Sequence, residues 1–132
     1  MLSPDVNMIT EKIIGCAYRV SNSLGIGFVE KVYENSLAHE LQKSGLKVTQ
    51  QTPIKVLYDE IVVGDFFADL LVEEQVLVEL KAVSILKDEH VAQSLNYLRA
   101  TGLEICLLIN FGTTKVQLKR LRRSVNWKTP NT

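Results

Sequence analysis

The chain has 132 residues and a mass of 14.9 kDa, the length of one domain, expected to span residues 1–132. At 46% hydrophobic, 23% charged and 7% aromatic it has an ordinary globular composition, which excludes intrinsic disorder, collagen-like repeats and a disulfide framework. Net charge is zero but uneven: all 15 acidic residues and nine of the 15 Lys and Arg precede Lys115, so residues 1–114 carry −6 and residues 115–132 carry +6.

From Ser3 the pattern is helical. Pro4 suits a first helical position, and Val6, Ile9, Ile13, Ala17, Val20 and Leu24 recur at three- and four-residue spacing until Gly25 and Gly27. A second helix is predicted over 28–44, with Val29, Val32, Tyr33, Leu37 and Leu41 inward and Gly45 as its stop. The period then becomes extended. Residues 46–58 read as a strand, with Pro53 at a bend or an edge, and Asp59-Glu60 as a turn. A short strand at 61–63 ends before Gly64-Asp65. Strands at 66–72 and 76–81, joined by Glu73-Glu74-Gln75, form a hairpin. A third helix follows at 88–100, closed by Gly102. The nearly continuous apolar run 104–110 reads as a strand covered on both faces, and 116–121 as a last strand. The order α-α-β-β-β-β-α-β-β predicts an α/β fold with a mixed central sheet flanked by helices.

No apolar run approaches the roughly 18 residues of a membrane span, and the N-terminus lacks the layout of a secretion signal; no membrane partner and a cytoplasmic location are expected. Cys16 and Cys106 lie among apolar neighbours and read as buried free thiols.

The hairpin carries the chemistry. Along Val76-Leu77-Val78-Glu79-Leu80-Lys81, Val76, Val78 and Leu80 face one way while Glu79 and Lys81 face the other. Hairpin pairing can bring Asp69 beside Glu79. Two carboxylates held that close raise each other's pKa unless a cation separates them, and hard, octahedral Mg²⁺ is the expected occupant. The Leu80 carbonyl can add an oxygen, and Lys81 would place positive charge beside a water or a phosphate. On the third helix Gln93 and Tyr97 are four apart and share a face. Glu30 and Glu34 are likewise four apart near the start of the second helix, where the helix dipole favours them.

These residues resemble a known family. Gly27-Phe28-Val29-Glu30-Lys31-Val32-Tyr33 is similar to the signature that names the GxxExxY proteins, a compact branch of the PD-(D/E)XK nuclease superfamily. The resemblance continues through Glu40-Leu41, Ala68-Asp69, Val78-Glu79-Leu80-Lys81, Gln93 with Asn96-Tyr97-Leu98, and Leu107-Leu108-Ile109-Asn110-Phe111-Gly112, covering about residues 9–121. It implies a restriction-endonuclease-like core. It also implies that Asp69 and Glu79 are the metal-binding acids and Lys81 the lysine of the motif. Gln93 and Tyr97 resemble the Gln-x-x-x-Tyr element of nucleases attached to recombination helicases. Glu34, eleven before Gly45 with leucines three and seven beyond it, resembles the helix Glu of archaeal junction resolvases, while Glu30 is the eponymous Glu. The resemblance leaves open which of the two supports the site. Ala68 stands where the superfamily has the Pro of its Pro-Asp pair.

The leading expectation is a nuclease that uses Mg²⁺, or Mn²⁺ as a substitute, to hydrolyse phosphodiester bonds of DNA. Lys115, Lys119, Arg120, Arg122 and Arg123, with Lys128, would track the phosphate backbone. A homodimer would suit the cutting of two strands. The alternative is a catalytically silent module of the same fold that binds nucleic acid or a protein, favoured by the acidic body. A third reading is a structural oligomer in which Trp127 anchors an interface.

Overall fold

The computed structural model describes residues 5–123; Ser3, Pro4, Trp127 and Lys128 lie outside the described residues. Helix α1 (Val6–Leu24) starts after Asp5, whose side chain accepts a hydrogen bond from Asn7 N at 2.9 Å and so satisfies one of the amides open at a helix start. Ile9, Ile13, Cys16, Ala17 and Val20 form its buried stripe. Gly27, at φ 113°, helps turn the chain into α2 (Glu30–Lys43). Tyr33 closes that turn. Its hydroxyl donates to the Gly25 carbonyl at 2.6 Å and accepts from Phe28 N at 3.3 Å, while its ring stacks on Phe111 at 4.8 Å. Val29 departs from expectation. It precedes the helix in an extended conformation, so its side chain is 70% exposed instead of facing the core.

Five strands follow: β1 (Val48–Tyr58), β2 (Ile61–Val72), β3 (Val76–Lys81), β4 (Ile105–Asn110) and β5 (Gln117–Arg122), with α3 (Asp88–Thr101) between β3 and β4. They form one sheet in the order β1-β2-β3-β4-β5, antiparallel except for the parallel pair β3–β4 that α3 connects. The main core lies between the sheet and α1 and α2, and includes Tyr33, Leu37, Val76, Val78, Leu80, Leu107 and Ile109. A second cluster lies beneath α3 and includes Leu77, Tyr97, Leu98 and Cys106. All six residues of β4 are buried, as its nearly continuous apolar run requires. Cys16 and Cys106 are free and buried.

The separate strand expected at 61–63 does not exist, so the described sheet has five strands instead of six. β2 runs on through Gly64 and Asp65, which pair with Val56 and Lys55. Lys55 Nζ bonds Asp65 Oδ1 across the strands at 2.9 Å, and the Phe66 ring lies close over Gly64 and stands in for its missing side chain. On β2, β3 pairs only with Leu70, Leu71 and Val72, so the β1–β2 hairpin projects past it.

The loop after β3 is fastened from β4. Buried Asn110 accepts from Val83 N at 3.0 Å and from Gly112 N at 3.0 Å, and donates to the Val83 carbonyl at 2.9 Å. Phe111 N donates to the Lys81 carbonyl at 2.8 Å. Gly112 permits this approach, since a Cβ there would fall on the backbone of Ala82 and Val83. Gly15, in mid-α1, has nothing in the path of a Cβ. Gly112→Ala is therefore expected to destabilise by about 1–3 kcal/mol, and Gly15→Ala to stabilise by about 1 kcal/mol, read by urea denaturation.

Candidate active site

The sheet is interrupted where the two acids stand. Between β1 and β2 the register passes from Gln50↔Leu70 to Thr52↔Ala68, and Gln51, at φ 52°, drops out of the ladder opposite Asp69. The strand changes faces there. Leu70 and Val72 belong to the core under α1 and α2, whereas Ala68 belongs to the cluster under α3, although regular alternation would keep all three on one side. Between β2 and β3 the ladder stops at Leu70↔Val78. Beyond it side chains replace the backbone bonds. Asp69 N donates to Glu79 Oε2 at 2.8 Å, and Leu80 N donates to Asp69 Oδ2 at 2.8 Å. The N–H and C=O of one strand residue point to the same edge, so the Leu80 carbonyl faces this gap as well.

Helix α2 brings further acids to the gap. Glu34 is 4% exposed and accepts from Lys31 Nζ at 3.0 Å, Gln50 Nε2 at 2.8 Å and Gln51 Nε2 at 2.8 Å. Gln51 Nε2 also reaches Asp69 Oδ1 at 3.4 Å, joining the α2 acid to the strand acid. Glu30, at the first turn of α2, is exposed, and its carboxyl lies within electrostatic reach of Lys81, Asp69 and Glu34. Lys81 is half-buried at the end of β3, and no carboxylate comes within 4.0 Å of its Nζ among the described residues.

Negative charge is crowded here. Glu79 is 6% exposed and its pKa is pushed up to about 8, first by burial and then by Asp69, against the Asp69 N–H and Lys81. Burial also raises Asp69, helped by Glu34 and opposed chiefly by the Leu80 N–H. Glu30 is raised by its partial removal from solvent, with Lys81 opposing and Asp69 and Glu34 adding. Tyr97 is raised by burial and then by Glu79; its hydroxyl accepts from Gln93 Nε2 at 2.9 Å. Lys81 thus stands among more carboxylates than it can neutralise.

No group of three or more His, Cys, Asp and Glu side chains suited to a metal occurs among the described residues. Mg²⁺ needs fewer: one or two carboxylates, further oxygens and retained waters. Asp69, Glu79 and the Leu80 carbonyl are hard oxygen donors, and a nearby cation would relieve the crowding that raises both carboxyl pKa values. The donor set therefore fits a hard divalent ion.

The structure brings Asp69, Glu79, the Leu80 backbone, Lys81, Glu30 and Glu34 into one electrostatic neighbourhood, with Gln93 and Tyr97 alongside on α3. It sets the basic residues apart. Lys119 pairs with Leu108, which pairs with Glu79, so β5 lies two strands from the site. Its cations divide between faces: Arg120 Nη2 donates to Asn7 Oδ1 of α1 at 2.7 Å, while Lys119 alternates to the other side. Arg123 Nε donates to the Leu103 carbonyl at 3.2 Å, and Lys115 and Arg122 are exposed. Gln50, Gln51, Asn110 and Gly112 have structural parts that no spacing pattern in the sequence marks. Adjacent polar glutamines in an otherwise β-prone strand were the only local sign of the first two.

The raised Glu79 pKa carries a pH signature. The folded protein keeps that proton up to about pH 8, whereas the unfolded chain releases it near its ordinary value of 4.5. This contribution is fully present below the lower value and is lost as pH rises through the higher one, on the order of a few kcal/mol. Melting temperature in chelator is expected to fall between these two values, and Glu79→Gln to flatten the slope.

No curated protein matches the chain significantly. Its fold is similar to the crystal structure of an alkaline exonuclease from Laribacter hongkongensis, with a TM-score of 0.55 and 16% identity over 93% of this chain and 73% of that one. The exonuclease in complex with dAMP gives 0.52 and 16% over 87% and 83%. The crystal structure of SSO0001 gives 0.56 and 15% over 91% of this chain and 60% of the other. These likenesses concern the fold. In sequence, residues 7–121 match the PD-(D/E)XK nuclease superfamily, a span that holds both helical layers and the whole interrupted hairpin. By that match over most of its length, the chain belongs to the PD-(D/E)XK nuclease superfamily.

Proposed function

We propose that the protein is a divalent-metal-dependent nuclease that hydrolyses phosphodiester bonds of DNA, as a GxxExxY-type member of its superfamily. The observation that carries this reading is the gap between β2 and β3, where Asp69 and Glu79 sit together with Lys81 beside them. Asp69, Glu79 and the Leu80 carbonyl would hold Mg²⁺, with Mn²⁺ as substitute. When bound, the ion supplies Lewis acidity toward phosphate and water.

The remaining work belongs to this chain's own side chains. Lys81 Nζ, fixed through its backbone by Phe111, donates to the attacking water or to a non-bridging phosphate oxygen and offsets charge that grows as the P–O bond breaks. Glu30 is the better supporting acid of the two on α2. Glu34 already accepts from Lys31, Gln50 and Gln51, which leaves it as the tie between α2 and β1. Tyr33 holds the turn that presents Glu30, so the Glu and the Tyr of the signature serve one purpose at two removes. Gln93, bonded to Tyr97, positions the substrate from α3. The cations of β5 are far enough from the gap to hold the flanking backbone of a longer substrate.

Cleavage of labelled single-stranded, duplex and branched DNA and RNA tests the proposal, with Mg²⁺, Mn²⁺ or chelator. Metal-dependent cutting is expected, reduced at least about a hundredfold by Lys81→Ala. Mg²⁺ or Mn²⁺ is also expected to raise the melting temperature of the wild type and not of Asp69→Ala. No cutting of any substrate by folded protein, with equal metal stabilisation of both proteins, would overturn the assignment in favour of a binding module.

A further inference from the structure

A groove of about 870 Å³ separates the projecting β1–β2 hairpin from α3; Leu57 and Phe66 line it from the hairpin, and Gln93, Asn96 and Tyr97 from the helix. The Phe66 and Tyr97 rings lie 5.8 Å apart at 43°, and Phe66 remains 43% exposed. Gly64 makes room for the exposed ring, since a Cβ there would lie 2.8 Å from its edge. Tyr97 joins the groove to the site. It packs in one buried cluster with Ala68 and Leu77, neighbours of Asp69 and Glu79 along β2 and β3.

Charge and apolarity together choose the occupant. Apart from Tyr97, the ionisable residues lining the groove are Lys55, Arg99 and His90 against Glu89, and Lys55 is already paired with Asp65 at 2.9 Å. Such a rim is too weakly cationic to follow the two phosphate backbones of a duplex, on a body that carries −6 through residue 114. An unpaired nucleobase is neutral and offers a π-face to an aromatic wall and polar edges to Gln93 and Asn96. In a duplex those faces are taken up by stacking.

Building on the nuclease reading above, we infer that the groove receives an unpaired base of a single-stranded polynucleotide, stacked on Phe66, which makes single strands and frayed ends the preferred substrate class. The base then lies beside Tyr97, and the backbone that carries it runs toward Asp69 and Glu79. Phe66 is a specificity-determining residue in this arrangement and takes no part in the hydrolysis.

The test is fluorescence anisotropy in Ca²⁺ with a short labelled oligothymidylate, a duplex of the same length and an abasic oligomer, alongside cleavage in Mg²⁺. Wild type is expected to bind the oligothymidylate at least tenfold more tightly than the other two. Phe66→Ala and Phe66→Leu should each lose about tenfold on the oligothymidylate alone, and Phe66→Trp should restore it. The Leu variant keeps the apolar bulk, so its loss at unchanged melting temperature isolates the aromatic face. Equal affinity for single strand and duplex would overturn the inference, as would indifference to Phe66. Self-association that depends on Phe66 would also overturn it, by giving the groove to a second copy. Base-dependent binding without cutting of any polynucleotide would sink the nuclease reading and leave the groove assignment standing. Cutting without any Phe66-dependent binding would do the reverse.

Discussion

Two carboxylates that take the place of main-chain hydrogen bonds are the constraint on which this molecule is organised. Where β2 and β3 part, Asp69 bonds the Leu80 amide and Glu79 bonds the Asp69 amide. A sheet interrupted inside a protein would otherwise leave polar backbone groups without partners, at a cost of about 1–3 kcal/mol each. The acids remove that cost and meet each other in doing so. Satisfying the backbone and bringing the two carboxyl groups together are one event.

Their placement is supported from the α1–α2 face of the sheet and from the β4 side of β3. Under α1 and α2, Leu80 and Val78 anchor β3 in the main core, while Glu34 draws Gln50 and Gln51 toward α2 and holds the kink opposite Asp69. Beyond β3, Asn110 and Gly112 bring the chain after β4 hard against Ala82 and Val83, which fixes the backbone that carries Lys81. The stacked Tyr33 and Phe111 rings tie this end of the sheet to the turn before Glu30. The result is a rigid frame around an electrostatically unbalanced centre. Stability is surrendered at Glu79, whose proton is held up to about pH 8, and the surrounding packing sustains it.

Much of this was legible in the residues. The recurrence of Ile9, Ile13, Ala17 and Val20 specified α1 because a helix buries one stripe, and the nearly continuous apolar run in β4 specified a central strand because both its faces are covered. Glu79 and Lys81 could be placed on one face by alternation alone. The errors have equally local causes. Gly64-Asp65 looked like a break, but the Lys55–Asp65 ion pair and the Phe66 ring carry the strand across it. Val29 fitted a helical spacing but stands outside the helix, because the turn tied by Tyr33 delays its start.

By itself the sequence determined the helices, every strand except the unbroken course of β2, the hairpin that joins Asp69 to Glu79, and the superfamily to which those motifs belong. These are matters of local periodicity and short spacing, set by backbone geometry over a few residues. Only the tertiary structure decided that β2 changes faces at Asp69, that Glu34 is saturated while Glu30 stays exposed, and that the β5 cations lie two strands from the site. It alone opened the groove between the hairpin and α3. Each of these depends on residues far apart in the chain meeting across a sheet whose order and twist no local pattern encodes.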